Sequence, residues 1–211
     1  MARSPAIARV KRAYTDEARR LAAQSMTQLE QSNVTPDALT VGGVALCIAG
    51  AAVVFFEYAG WGFYLAGAAL FVVGSILDIL DGALARTRGA GSPFGAFLDS
   101  TVDRVGEGFM LGAVGLVFMR HEQLWAVALA FAAIAGSFLV SYTRAKAEAL
   151  ALKGDVGLGS RAERVVVITG GLVLAPLHEL VLPSAIALLT ATAWLTVVQR
   201  ILFVRKQLRS A

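Results

Sequence analysis

The chain has 211 residues, of which 57% are hydrophobic and only 16% are charged, and its formal net charge is +4. Because soluble domains carry about 25% charged residues, this composition excludes an ordinary soluble protein and indicates an integral membrane protein. The positive charge lies between apolar runs, so it reports membrane topology and not nucleic-acid binding. The single cysteine, Cys47, excludes an intramolecular disulfide.

The N-terminal segment over residues 1–36 is too polar to contain the apolar core of a cleavable signal peptide. From Ile7 to Met26, apolar residues recur at three- and four-residue steps, a pattern that predicts an amphipathic helix on the cytoplasmic membrane surface. A partly ordered tail is the alternative. Pro36 ends this segment, because proline disfavours helix at the preceding residue.

Residues 37–211 are predicted to form one all-α, integral membrane catalytic domain with six transmembrane helices. Each apolar run is long enough for a bilayer core of about 30 Å. The predicted spans are 39–56, 61–77 with a continuation into an aspartate motif, 94–119, 124–142, 161–177 and 180–198. No internal repeat or second domain is visible.

The basic residues predict the orientation of these helices. Apart from Arg120, all of the 19 Lys and Arg residues fall on one side of a six-span arrangement. The positive-inside rule then places both termini and the aspartate motif on the cytoplasmic side of the cell (plasma) membrane. An aromatic belt is predicted at the opposite interface from Tyr58, Trp61, Tyr64 and Trp125. Trp194 does not fit that belt.

Four aspartates flank one short connection, residues 87–94: Asp78, Asp81, Asp99 and Asp103. The members of each pair are three or four residues apart, so each pair projects from one helix face. The short connection predicts that the two helices are antiparallel neighbours whose carboxylates meet. Carboxylates beside hydrocarbon need a compensating charge. Nearby arginines would make them ordinary helix-end ion pairs, whereas two divalent cations would balance four carboxylates better, and hard oxygen ligands favour Mg²⁺, Mn²⁺ or Ca²⁺.

The string Asp78-x-x-Asp81-Gly82-x-x-Ala85-Arg86-x₈-Gly95-x-x-x-Asp99-x-x-x-Asp103 resembles the signature of the CDP-alcohol phosphatidyltransferases at all eight fixed positions. The resemblance implies the six-span layout of that family over nearly the whole chain. It also implies a magnesium-dependent transfer of a phosphatidyl group from a CDP-linked lipid to an alcohol, with release of CMP. A homodimer with one active site inside each protomer is implied as well.

By the same resemblance, Asp78, Asp81 and Asp99 are mainly ligands of two Mg²⁺ ions, for which Mn²⁺ is a possible substitute. Asp103 would bind the second metal and act as the catalytic base that takes the proton of the attacking hydroxyl. The candidate contacts to the CDP-lipid are Gly82, Arg86, Ser92, Asp37 and Thr40. For Asp37, a plain helix start that it caps is the alternative.

Cytoplasmic cations predict an acceptor that is itself anionic, since Arg and Lys bind phosphate monoesters. We select Arg144, Arg164 and Arg200 as acceptor-phosphate residues and pass over Lys146 and Arg161. The alternative for each is a topology determinant, and Arg144 with Glu148 also forms an ordinary four-residue helix pair.

The stretches 141–148 and 161–164 are similar to those of prokaryotic phosphatidylinositol-phosphate synthases, with Arg144 where lysine is expected. That similarity implies CDP-diacylglycerol as donor and myo-inositol 1-phosphate as acceptor. Glycerol 3-phosphate, free inositol and an ether-lipid donor remain alternatives within the same reaction. A cation transporter is disfavoured, because the carboxylates cluster near one face and spans one, four and six have no acidic residue at their centres.

Overall fold

The computed structural model describes residues 34–88, 92–154, 156–157 and 160–210. The predicted amphipathic surface helix lies almost wholly outside this part of the chain and stays a prediction. The described residues form six α-helices and two short 3₁₀ helices, without a strand. The all-α prediction is therefore confirmed.

The six α-helices follow one another with short connections. They are α1 (Pro36–Phe55), α2 (Gly62–Thr87), α3 (Pro93–Arg120), α4 (Leu124–Ala149), α5 (Arg161–Leu174) and α6 (Val181–Ser210). One 3₁₀ turn, Glu57–Ala59, follows α1, and another, Ala175–Leu177, follows α5. These bounds match the predicted apolar runs, and both helices of the aspartate motif continue without a break through their carboxylates.

Side-chain caps fix where three helices begin. Thr35 caps α1, because its Oγ1 accepts a hydrogen bond from the Ala38 N–H at 3.2 Å. The alternative that Asp37 is the cap is therefore wrong. Ser92 caps α3 by accepting from the Gly95 N–H at 2.9 Å. α5 begins with a reciprocal capping box between Ser160 and Glu163.

Four helices, α1, α2, α4 and α6, are long and apolar enough to cross a bilayer. α3 does not meet that description because its first half carries Asp99, Asp103, Arg104 and Glu107. α5 has only 14 residues, or about 21 Å of helix, less than the hydrocarbon thickness of about 30 Å. The chain is thus a multi-pass membrane protein. Six spans were predicted, and four of the described helices meet the length and composition of a span.

Large apolar side chains cover the outside of the bundle. Ile79 on α2, Phe131 on α4 and Val166 on α5 are 64%, 68% and 69% exposed. In a water-soluble protein such a surface would be a liability, whereas hydrocarbon solvates it. The outward face of the short helix α5 is therefore as apolar as that of the long helices.

The core sits between all six α-helices, and large buried side chains such as Phe71, Met110, Phe118 and Ile186 fill it. α1 packs extensively against both α2 and α3, α4 packs against α6 and α3, and α5 packs against α6 and α2. α2 and α3 touch each other only sparsely. α2 and α3 were predicted to pack side by side as direct neighbours. They make few contacts with each other, and α1 packs against both of them instead.

The aromatic residues at the end of the bundle opposite the aspartates are only partly as predicted. Tyr58, Trp61 and Trp125 are exposed, as side chains at a membrane interface are. Tyr64 is instead half-buried against the core. Trp194 joins α6 to α4, because its Nε1–H donates to the Ala132 carbonyl at 3.0 Å, so interhelical bonding accounts for its position.

Adjacent glycines on α1 provide a matched test of this packing. A Cβ atom added at Gly43 would lie 2.8 Å from the Gly74 carbonyl oxygen on α2, whereas one added at Gly42 meets no described neighbour within 4 Å. We expect Gly43→Ala to destabilise the protein by about 1–3 kcal/mol through overpacking and Gly42→Ala to have no destabilising effect. Thermal unfolding in detergent measures both, and equal midpoints for the two variants would contradict the close α1–α2 contact.

Candidate active site

Three of the four aspartates converge. Asp78 is buried on α2, while Asp99 and Asp103 are half-buried on α3. Each offers one carboxylate oxygen, and these three oxygens lie within 4.8 Å of one another. The helical spacing of the motif thus brings carboxylates from two different helices to one point, although the helices themselves have little contact.

Asp81 stands apart from this group of three. Its carboxylate is buried and accepts a hydrogen bond from the Thr40 hydroxyl on α1. One turn of α2 therefore directs Asp78 towards α3 and Asp81 towards α1. Thr40, which was predicted to contact the CDP-lipid, is linked to the aspartate motif by this hydrogen bond.

The other residues predicted to contact the CDP-lipid gather beside Asp81. A Cβ atom at Gly82 would lie 3.5 Å from the Arg86 Nη1 atom, and one at Gly95 would lie 3.7 Å from the Asp37 Oδ1 atom and 3.2 Å from the Ser92 Oγ atom. The starts of α1 and α3 thus meet near the end of α2. The exposed side chains of Arg86, Asp37 and Ser92 offer hydrogen-bonding groups around small residues, which is an arrangement that can accept a nucleotide.

A cavity of about 590 Å³ opens next to the aspartates between α3, α4, α5 and α6. Its acidic residues are Asp99, Asp103, Glu107 and Glu148. Its basic residues are Arg104, Arg144, Arg161, Arg164 and Arg200. The cavity therefore places a concentrated positive wall directly beside carboxylates, and its volume is that of a small-molecule site.

Arg164 is held rigidly in this cavity. Its Nε and Nη2 atoms donate to the two oxygens of Glu107 at 2.7 and 2.8 Å, and both side chains are buried. A bidentate pair of this kind fixes the plane of the guanidinium. Glu107 had no role in the sequence-based assignment, although it follows Asp103 by four residues and so shares its helix face.

The other two selected arginines differ in how they are held. Arg200 is buried, and it donates through Nε to the Val156 carbonyl at 2.8 Å and through Nη1 to the Val140 carbonyl. Arg144 is exposed and pairs with Glu148 at 2.9 Å. The helix pair considered for Arg144 is thus present, while the residue still lines the cavity.

Arg161, which the sequence analysis passed over, contacts two of the converging aspartates. Its Nη1 atom forms an ion pair with Asp78 Oδ2 and lies 2.6 Å from Asp103 Oδ1. The sequence feature that could have identified it is its position three residues before Arg164, at the start of α5. The capping box that begins α5 fixes the position from which both side chains extend.

A divalent cation fits the carboxylates of Asp78, Asp99 and Asp103. They provide hard oxygen ligands from two helices at one point. The Oδ1 atom of Asp103 is buried and makes no hydrogen bond to the described residues, despite the nearby Arg161. A buried carboxylate needs a compensating charge. Arg161 supplies that charge in this structure, and a metal ion bound there would supply it instead.

Comparisons with known proteins identify the family of the chain. The family model of the CDP-alcohol phosphatidyltransferases matches residues 33–204. The phosphatidylinositol phosphate synthase of Cutibacterium acnes is 36% identical over 196 residues, 86% of this chain and 91% of that protein. The archaetidylinositol phosphate synthase of Methanothermobacter thermautotrophicus is 35% identical over 174 residues, 82% of this chain and 84% of that protein.

A solved relative has the same fold. The phosphatidylinositol phosphate synthase of Mycobacterium tuberculosis with CDP-DAG bound is 30% identical, with a TM-score of 0.78 over 88% of this chain and 94% of that one. Its complex with manganese and citrate is 31% identical, also with a TM-score of 0.78, over 87% of this chain and 88% of that one.

The chain belongs to the CDP-alcohol phosphatidyltransferase family. It is therefore a membrane-embedded phosphatidyltransferase of phospholipid biosynthesis. The family and the enzymatic activity predicted from the eight-position signature are both confirmed.

Proposed function

We propose that the protein transfers a phosphatidyl group from CDP-diacylglycerol to myo-inositol 1-phosphate, giving phosphatidylinositol phosphate and CMP. The observation that carries this proposal is the cavity beside the aspartates, whose basic wall includes Arg144, Arg164 and Arg200. Relatives that are 35–36% identical are named as synthases of inositol phosphate lipids, which supports the same acceptor here.

Charge separates the candidate acceptors. Free inositol is neutral and would bring no negative charge to the five arginines that line this half-enclosed cavity. A phosphate monoester offers oxygens that match guanidinium groups. Arg164 and Arg200 are already oriented by buried partners, Glu107 and two backbone carbonyls, so little conformational entropy is lost when phosphate binds them.

For the reaction, we propose that the acceptor hydroxyl attacks the phosphorus that carries the lipid, while CMP leaves. Asp103 takes the hydroxyl proton, and its place at the border between the carboxylate group and the cavity supports this role. When bound, two Mg²⁺ ions, or Mn²⁺ in their place, stabilise negative charge on the pyrophosphate. Asp78, Asp81, Asp99 and Asp103 would hold them.

The nucleotide part of the donor is assigned to the residues around the start of α3. We propose that Gly82 leaves room for it and that Arg86 holds a phosphate, with further contacts from Ser92, Asp37 and Thr40. Their proximity in the structure supports one shared pocket. No covalent intermediate is needed, since the hydroxyl can displace CMP directly.

The arrangement in the membrane follows from the same assignment. We propose that all six helices cross the bilayer, because the outward face of α5 is apolar and the charges of α3 point into the protein. The aspartate end and both termini then face the cytoplasm of the cell membrane, in agreement with the basic residues. Residues 1–36 would lie on that surface, 37–211 would form the catalytic domain, and two copies would form a homodimer.

A donor with ether-linked chains is a second candidate within this reaction. The relative named archaetidylinositol phosphate synthase favours it. The cavity residues described above are proposed to bind the head groups and not the lipid tails, so they suit either donor. Comparing the two CDP-lipids as substrates decides between them.

An acceptor panel tests the proposed function. Purified protein is given Mg²⁺ and CDP-diacylglycerol with inositol 1-phosphate, inositol or glycerol 3-phosphate in separate reactions, and CMP and lipid products are measured. We expect inositol 1-phosphate to be preferred over free inositol in kcat/KM by at least about 100-fold, because a site built around a charged group rejects an analogue that lacks it, and to be preferred over glycerol 3-phosphate as well. Preference for glycerol 3-phosphate would reassign the acceptor, and reaction with inositol alone would refute the role of the arginines.

A further inference from the structure

The guanidinium of Arg161 occupies the position where a divalent metal ion would bind. Its Nη1 atom contacts both Asp78 and Asp103, and those carboxylates, with Asp99, form the group whose oxygens lie within 4.8 Å of one another. A divalent ion bound there would need the same oxygens. Because two cations in direct contact repel strongly, Arg161 and the metal cannot both keep these contacts.

The backbone at Arg161 offers little freedom to move away. Arg161 is the first residue of α5, and the capping box between Ser160 and Glu163 fixes that helix start. A change of position therefore has to come from rotation of the long side chain. Arg161 also lines the cavity that holds Arg144 and Arg164, so rotation within this cavity keeps the guanidinium partly hydrated.

The described partners of Arg161 differ from those of its neighbours. Arg164 is fixed by Glu107, and Arg200 by the carbonyls of Val140 and Val156, and neither set of partners includes the converging aspartates. The ion pairs of Arg161 are both with Asp78 and Asp103. Metal binding would therefore disturb the described ion pairs of Arg161.

We propose that Arg161 is an exchangeable cation that neutralises Asp78 and Asp103 before metal binds and then turns into the cavity to bind the phosphate of the acceptor. Metal loading thus adds one positive charge to the acceptor site. Since such coupling is reciprocal, acceptor phosphate strengthens metal binding. This inference rests on the proposed function, because it needs an anionic acceptor in the cavity.

Manganese titrations of the purified full chain in detergent, followed by electron paramagnetic resonance, test the exchange. We compare wild type, Arg161→Gln and Arg104→Gln, which removes the same charge from the same cavity without an ion pair to Asp78 or Asp103 among the described residues. We expect Arg161→Gln to bind Mn²⁺ about 10-fold more tightly than wild type, and Arg104→Gln to show a clearly smaller gain. Equal gains for the two variants would overturn the exchange.

The linkage to the acceptor is measured by adding inositol 1-phosphate. Wild-type affinity for Mn²⁺ should rise by about 5- to 10-fold. In Arg161→Gln, the rise should be less than a third of the wild-type rise. Arg161→Lys, which keeps the charge and so guards against a folding defect, should show intermediate coupling. Undiminished coupling in Arg161→Gln would overturn the proposal.

Asp99→Asn separates this inference from the proposed function. If Asp99→Asn abolishes Mn²⁺ binding while Arg161→Gln behaves like Arg104→Gln, only the exchange of Arg161 fails. If Asp99→Asn leaves Mn²⁺ binding intact, the metal site itself is wrong, and the proposed function and the exchange fail together.

Discussion

Replacing Asp103 with Asn is expected to lower kcat for CMP release by about 10²–10⁴-fold, the usual contribution of a general base. The amide cannot take the hydroxyl proton, and it is a weaker metal ligand than the carboxylate. A carboxylate oxygen of Asp103 lies within 4.8 Å of oxygens of Asp78 and Asp99, and the residue also lines the cavity, which supports both roles. Single-turnover CMP release at saturating Mg²⁺ and donor isolates the chemical step.

Glu122→Gln is the matched control for this prediction. Glu122 is an exposed carboxylate in the turn after α3, at the end of the bundle away from the aspartates, and its neutralisation should leave kcat within twofold of wild type. If Asp103→Asn also keeps near-normal turnover, Asp103 is neither base nor essential ligand. The assignment of the reaction to this carboxylate group would then be wrong.

The second large effect is expected from Arg164→Gln. The substitution removes two charge-assisted hydrogen bonds to Glu107 and leaves that carboxylate buried without its partner. Breaking a buried ion pair from one side costs about 3–5 kcal/mol of stability. In the same variant, KM for inositol 1-phosphate should rise by about 10- to 100-fold if Arg164 binds the acceptor phosphate, while KM for the donor stays the same.

The double variant Glu107→Gln/Arg164→Gln separates stability from binding. Two neutral amides can replace the ion pair by hydrogen bonds, so we expect most of the lost thermal stability to return. The raised KM for the acceptor should persist, because no guanidinium remains at that position. Recovery of a normal KM in the double variant would show that Arg164 only supports the structure.

The fold was largely predictable because one physical rule dominates it. A bilayer of known thickness requires long apolar helices, so hydropathy located the starts of α1, α2, α4 and α6 closely, while α2, α4 and α6 continue past the predicted span ends at residues 77, 142 and 198. What hydropathy could not show is which helices pack together. That depends on residues such as Gly43 and Gly74, whose missing side chains let α1 approach α2, and such contacts between distant positions leave no local pattern.

The candidate site, like the fold, was predictable from the sequence only in part. Helical periodicity predicted that all four aspartates share faces that can meet, and the structure brings together Asp78, Asp99 and Asp103 but not Asp81. It did not predict that Asp81 turns towards Thr40 on α1, because one turn of helix can project towards two different neighbours. The ion pairs of Arg161 and of Glu107 with Arg164 join residues more than 50 positions apart, and no spacing rule on one helix can find them.

The carboxylate group as a metal centre is the claim on which the proposed reaction depends. Anomalous diffraction from a crystal soaked in Mn²⁺ and CDP-diacylglycerol tests it most directly. The account predicts two anomalous peaks about 3.5–4 Å apart, within coordination distance of Asp78, Asp81, Asp99 and Asp103, with the side chain of Arg161 turned away from them. Crystals that show no anomalous peak among these carboxylates while the donor is bound would contradict it.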